Sequence, residues 1–356
     1  MKWLLRILAA LLALTAALIG AAFLLDTSPP PRPATIPGYT VLTMQPAHRA
    51  VPVDLHIWYP TDATTEPELI GQNGLFYGAW ARRDAPARPG LTPVVLLSHG
   101  SGGNAPRLAW FAAALAAQGM IVLAPNHPGT MSNDSDPFQT VKIWERPQDL
   151  SAALDLLAAD PPMGLQPDLG RVASVGFSLG GFSALSLAGV QLSKQAFIDY
   201  CAQTPDQLDC GWMLRAGVDF ASIDQPRYQA SYRDPRIIAS VAIDPGLARA
   251  FTPESLRGIA IPVAILNLGS PHTLPLGLNA AASAALIPTG SYQTIPGAHH
   301  FSFLAECSPL GRIIIGLTGE DSICADPGLR PRAEIHAEVL AKTAAFLHAA
   351  LHIPAT

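Results

Sequence analysis

The sequence predicts an α/β fold: a mostly parallel central sheet covered by helices on both faces, with one insertion. Three observations predict it. Short continuous apolar runs recur at Val94–Leu97, Met120–Leu123, Val172–Val175, Ile237–Ile243 and Val263–Leu266, as suits strands buried on both faces. Helical segments separate most of these runs, which implies right-handed crossovers and a parallel sheet. Residues 190–236 break the alternation with aromatic side chains, Phe197, Tyr200, Trp212 and Tyr228 among them, so they read as an insertion and a candidate lid. A surface helix pair with a small core of its own is the plainer alternative.

Residues 39–42 and 51–59 read as strands, the second alternating Val53, Leu55, Ile57 and Tyr59 with Asp54, His56 and Trp58. Residues 61–90 are polar, with several Gly and Pro, and read as a surface connection. Asn104 is placed to cap a helix whose first turn holds Pro106, with Leu108, Phe111, Ala112 and Leu115 on one face. Further helices are expected over 149–157, 179–188, 277–286 and 332–351. A late strand is expected at 292–295. Ligands in such folds sit beyond the carboxyl ends of the strands, so chemistry should be sought there.

Composition narrows the class. Of 356 residues, 49% are hydrophobic and 14% charged, against a usual charged share of about 25%. That excludes a disordered chain, a coiled coil and a basic nucleic-acid binder. A formal charge of −5 favours solubility without pointing to a partner. The 34 prolines imply many stiff loops. Part of the apolar excess lies at the start. After Lys2 and Arg6, Ile7–Leu25 carries no charge and spans roughly 28 Å as a helix, close to a bilayer core. Positive residues ahead of such a run imply export of the chain beyond it. Residues 1–27 therefore read as a signal peptide or an uncleaved membrane anchor through 7–25, with the folded chain periplasmic or extracellular. Residues 28–37, SPPPRPATIP, read as a stiff linker, and 38–356 as one domain with its insertion.

Four cysteines fit an exported chain, where an even number suggests disulfides. Three connectivities are open, and the local pairs Cys201–Cys210 and Cys307–Cys324 are favoured over four buried thiols. No zinc-ligand spacing surrounds them.

The chemistry-bearing motifs sit at strand ends. Gly176-Phe177-Ser178-Leu179-Gly180-Gly181 comes directly after an apolar strand and opens an Ala-rich helix. This is the context in which G-x-S-x-G marks a nucleophilic serine: a strained turn exposes it, and its neighbours must be small. The helix also directs its positive end at the developing charge. His99-Gly100-Ser101-Gly102-Gly103 ends an earlier strand. Its Ser101 N–H, with the Leu179 N–H, would form an oxyanion hole. His99 reads as structural, its ring holding the loop. No P-loop Lys or GxGxxG spacing supports phosphate binding. A serine nucleophile needs a base and an orienting acid, in the chain order Ser, acid, His. His300, in Gly297-Ala298-His299-His300-Phe301, is the candidate base, with His299 a neighbour. The usual acid position reads Asn267-Leu268-Gly269-Ser270 and carries no carboxylate. Asp244, one strand earlier, is the candidate acid; Glu306 and Asp321 are outsiders.

Together, SHGSGG, GFSLGG, AIDPG and GAHHF resemble the α/β-hydrolase superfamily, and most of all its branch of predicted dienelactone hydrolases and platelet-activating-factor acetylhydrolases. The resemblance covers residues 38–350, and these motifs are its specific part. It implies the acid at Asp244, the base at His300 and oxyanion donors at Ser101 and Leu179. Dienelactone hydrolases proper use Cys, so Ser178 breaks that substrate assignment. The expected activity is hydrolysis of carboxylic esters through an acyl-enzyme, short acyl or aryl esters by analogy. No cofactor or metal is called for, the partner is a small-molecule ester, and the membrane is contacted only if residues 7–25 are retained. The rivals are an acyltransferase on the same residues, a non-catalytic envelope protein, and a metallohydrolase using His299 and His300.

Overall fold

Buried strands and crossover helices dictate the architecture seen in a computed structural model, which describes residues 2–26, 29–318, 323–326 and 330–354. The chain begins with helix α1 (Lys2–Asp26). Its window Lys2–Gly20 has mean hydropathy 2.1 and is wholly exposed, long and apolar enough to cross a membrane. Next come strands β1 (Gly38–Met44), β2 (Val53–Tyr59), β3 (Glu68–Ile70), β4 (Ala79–Arg83), β5 (Thr92–Ser98) and β6 (Ile121–Pro125), with α2 (Ala109–Ala117) between β5 and β6. A small hairpin, β7 (Thr130–Met131) with β8 (Asp134–Ser135), leads into α3 (Pro137–Thr140), α4 (Glu145–Ala159), β9 (Pro167–Phe177) and α5 (Leu179–Ala188). The insertion holds α6 (Lys194–Gln203), α7 (Gly211–Arg215) and α8 (Gln225–Tyr228). The chain ends through β10 (Ile237–Ile243), α9 (Pro253–Arg257), β11 (Val263–Leu268), α10 (Ala281–Leu286), β12 (Gly290–Ile295), α11 (Pro309–Thr318) and α12 (Arg332–Ala350).

The sheet order is β12-β11-β10-β9-β5-β6-β2-β1-β4-β3. Strands β12 to β6 run parallel, whereas β2 is antiparallel to both β6 and β1. Side chains divide by the two-residue period of a strand. On β5, Val95 and Leu97 face α2 and α12, with Phe111, Leu115, Ile335 and Val339. Val94 and Leu96 face Leu150, Leu154 and Leu157 of α4. All four β5 side chains are fully buried, each contributing about 1.5–3 kcal/mol. From β5 the chain moves to β6 on one side and then to β9 on the other. The switch point between β5 and β9 opens a crevice at their carboxyl ends, where the His99–Gly103 loop and Ser178 lie.

Several expected boundaries move. Residues 61–90 are not all irregular: β3 and β4 extend the sheet beyond β1, with only Gly38↔Arg82 and Tyr39↔Arg83 in register. These edge strands are too short and mixed to show an apolar run. Helix α4 starts at Glu145 rather than Asp149, because Pro147 sits in its first turn, where a missing N–H is tolerated. Helix α10 covers only Ala281–Leu286, because the chain before it makes a turn in which the Leu278 and Asn279 amides donate to Pro275 O, with Gly277 packed against the Asp209 carboxyl. A Cβ there would lie 2.5 Å from Asp209 Oδ2. Asn104 caps a 3-10 turn, Ala105–Leu108, accepting from the Arg107 amide at 3.0 Å before α2 begins. The cysteines pair locally, Cys201–Cys210 and Cys307–Cys324. With the apolar N-terminal helix, two disulfides are consistent with export.

Candidate active site

Ser178 sits where β9 turns into α5, with φ 57° and ψ −123°, a left-handed conformation that side chains rarely adopt. Surrounding hydrogen bonds hold it there: its N–H donates to Ile243 O at 2.9 Å, and its carbonyl accepts from Gly246 N at 2.9 Å. The glycines are required by closeness. A Cβ on Gly176 would meet Gly180 O at 2.0 Å, one on Gly180 would meet Ser98 O at 2.1 Å, and one on Gly181 the Pro245 Cα at 2.9 Å. Small residues are therefore what let strand, turn and helix approach at the serine.

The structure brings Ser178, His300 and Asp244 into one chain of hydrogen bonds. His300 opens a 3-10 turn after β12, and its Nε2 lies 3.0 Å from Ser178 Oγ. Its Nδ1 lies 3.0 Å from Asp244 Oδ2. A carboxylate only accepts, so Nδ1 carries the imidazole proton and Nε2 is left to accept from the serine hydroxyl. The His300 ring stacks on Phe177 at 4.7 Å, and Phe177 stacks in turn on Phe303. Asp244 directly follows β10 with φ 45° and is fully buried. Its Oδ1 accepts from the Leu268 amide at 2.6 Å and from Asn267 Nδ2 at 2.7 Å.

Asn267 stands out in the sequence only for lacking charge, yet in the structure its side chain holds the Asp244 carboxylate. It also donates to Leu278 O and accepts from the Ala280 amide and the Tyr292 hydroxyl. Its signal is a single polar residue inside the apolar run of β11. Asn267→Asp is expected to place two carboxylates on one another, so that one must hold a proton. The expected results are a raised acid limb in the pH–rate profile and about a tenfold lower kcat near pH 7. An unchanged profile would show that Asn267 does not set the electrostatics of Asp244.

Ser101 and Leu179, the remaining candidates, both line the cavity that contains Ser178 and His300. The neighbouring amides of Gly102 and Gly103 are occupied by Thr130 O and Gly100 O. His99 is buried; its Nδ1 donates to Gly100 O at 2.7 Å, and its Nε2 accepts from the His127 amide at 3.1 Å. Burial and the Arg146 charge push its pKa well below the ordinary value. His299 points away from His300, toward Asp326 at 3.4 Å. Glu306 is absent from the cavity lining, and Asp321 lies outside the described residues. Among the described residues, no three His, Cys, Asp or Glu side chains converge as a metal site.

The cavity holds about 650 Å³. The insertion supplies one wall with Phe197, Trp212, Met213 and Tyr228. The insertion's apolar residues pack into the same cluster as Leu179 and Phe182 rather than forming a separate core.

No family model and no curated protein matches this chain. Among solved structures it is similar to a ferulic acid esterase from Streptomyces cinnamoneus, at 20% identity over 93% of this chain and 94% of that one, with a TM-score of 0.62. A dienelactone hydrolase from Anabaena variabilis is 17% identical over 79% of this chain and 95% of that one, with a TM-score of 0.44. The chain has the α/β-hydrolase fold.

Proposed function

We propose that this chain is a serine hydrolase of carboxylic esters. The observation that carries the proposal is the pair of 3.0 Å contacts linking Ser178, His300 and Asp244 at a strained turn that opens into a cavity. The fold shared with a ferulic acid esterase supports the same reading. Ser178 Oγ attacks the ester carbonyl carbon while His300 Nε2 takes its proton. Asp244 holds the Nδ1–H tautomer and stabilises the imidazolium. The Ser101 and Leu179 amides receive the oxyanion, helped by the positive end of α5. As the tetrahedral adduct collapses, the alcohol leaves with the proton from His300. Water, activated by the same imidazole, then hydrolyses the acyl-enzyme. Short acyl or aryl esters suit the largely apolar cavity. Helix α1 and the disulfides favour an exported enzyme, with α1 as its membrane anchor if retained.

A fluorophosphonate probe tests this reading. Labelling of the wild-type chain and p-nitrophenyl acetate hydrolysis should disappear together in Ser178→Ala. Labelling that persists in Ser178→Ala, or a wild-type chain inert to both reagents, would overturn it. Product analysis with an added alcohol separates hydrolysis from acyl transfer.

A further inference from the structure

Behind the His99–Gly103 loop lies buried charge that no step of the proposed reaction uses. Arg146, in the first turn of α4, is 1% exposed. Its Nη2 donates to the His99 carbonyl and, at 3.3 Å, to Ser98 Oγ. Nη1 donates to Thr130 Oγ1 at 2.5 Å, and Nε to Ser183 Oγ at 3.3 Å. Ser183 Oγ donates on to Leu179 O at 3.0 Å, and Thr130 O accepts from the Gly102 amide at 2.9 Å. A single guanidinium thus touches the end of β5, strand β7 and, through Ser183, the first turn of α5. Two of these segments carry the amides assigned to the oxyanion.

The peptide geometry makes that contact consequential. The Ser101 N–H and the Gly100 carbonyl belong to one planar peptide unit and point opposite ways. The His99 ring pins the Gly100 carbonyl, and Arg146 pins the His99 carbonyl one unit earlier. Fixing both carbonyls aims the Ser101 amide. On the other side, the contact through Ser183 steadies the turn that aims the Leu179 amide.

Arg146 also keeps its charge unpaired. Among the described residues no carboxylate forms an ion pair with it, although a buried cation usually requires one. The neighbouring Asp149 carboxylate is already committed to Arg49 at 2.6 and 2.9 Å, His127 at 2.8 Å and His48 at 2.8 Å. Burial pushes the guanidinium down to about 9, still protonated at neutral pH. Its positive field therefore remains available to a negative charge forming beyond the loop.

We infer that Arg146 is a positioning residue for the oxyanion hole, holding both donor segments and favouring the oxyanion through its buried charge. This rests on the serine-hydrolase reading. Arg146→Met is expected to lower kcat about 100-fold while KM moves less than about threefold, because the interaction belongs to the transition state. Arg146→Lys should recover about tenfold of that loss. Binding of a trifluoromethyl ketone, whose serine adduct carries an oxyanion, should weaken in proportion to kcat/KM. Should Arg146→Met not fold, Thr130→Val and Arg146→Lys are measured in its place, each with a lowered kcat expected. Arg88→Met, which breaks the exposed pair with Asp62, serves as the control and should leave kcat unchanged. A folded Arg146 variant with kcat within threefold of wild type, or one changed in KM alone, overturns the inference. A wild-type chain that hydrolyses no ester and takes no fluorophosphonate overturns the serine-hydrolase reading itself.

Discussion

Asp244→Asn is expected to lower kcat on a p-nitrophenyl ester by about 10⁴-fold while the fold survives, the order of loss found when a triad acid loses its charge. The hydrogen bonds around Asp244 explain why so small a change should matter. Oδ1 accepts from both the Leu268 amide and Asn267 Nδ2, so an amide placed there must keep its oxygen on that side. Its NH₂ group is then forced toward His300 Nδ1. Two donors cannot face each other, so the imidazole must move its proton to Nε2. That is the atom which has to accept the Ser178 proton. The variant would hold every partner in place and still have the wrong tautomer. Steady-state kinetics alongside a thermal melt decide the matter: a kcat within tenfold of wild type at an unchanged Tm would mean that another carboxylate orients the base.

The parts of this site that are legible in the sequence are those whose chemistry is confined to a few adjacent residues. Gly176, Gly180 and Gly181 announce a tight turn because each backbone approach there excludes a Cβ. Asp244 stands out because doubly covered strands tolerate almost no charge at their ends. The six parallel strands are legible for the same reason, since a strand buried on both faces must be a continuous apolar run. Strands β3 and β4 are not, because an edge pairs through its backbone and leaves its side chains free to vary. Nor is the buried cluster around Arg146 and Asp149. Its members come from residues 48, 49, 98, 127, 130, 146, 149 and 183, so nothing local marks them. In the sequence the helix is expected to begin only at 149, and nothing marks Arg146 or Asp149 as buried. Only tertiary packing turns them inward.

That packing leads to a large effect of pH on stability. Among the described residues, four imidazoles besides His300 are buried and held neutral by burial. Burial lowers His56 to about 4 and His127 and His336 to about 3, and holds His99 well below the ordinary value. The partners of three agree: His56 Nε2 accepts from Asn126 Nδ2, His99 Nε2 from the His127 amide, and His127 Nε2 from Ser98 Oγ; for His336, whose Nε2 donates to the Ser302 carbonyl, burial outweighs that contact. Each folded-state pKa lies below the unfolded value near 6.5, so below that pH the unfolded chain binds protons that the folded chain refuses. Stability therefore falls as pH drops from about 6.5 toward 4, by up to about 1.4 kcal/mol per pH unit for each imidazole. At pH 5 the four together should remove on the order of 8 kcal/mol, a large part of the 5–15 kcal/mol that holds a typical domain. Asp149, held low by Arg49, His127 and His48 against its burial, adds its own loss only below the unfolded carboxylate pKa near 3.8. Urea unfolding at pH 7 and pH 5 should show this fall, and His336→Gln, which keeps a donor for the Ser302 carbonyl, should flatten it by about a quarter. Equal stability at the two pH values would mean that these imidazoles gain protons without unfolding the chain, and the buried polar layer beneath the His99–Gly103 loop would then have to open to water in the native state.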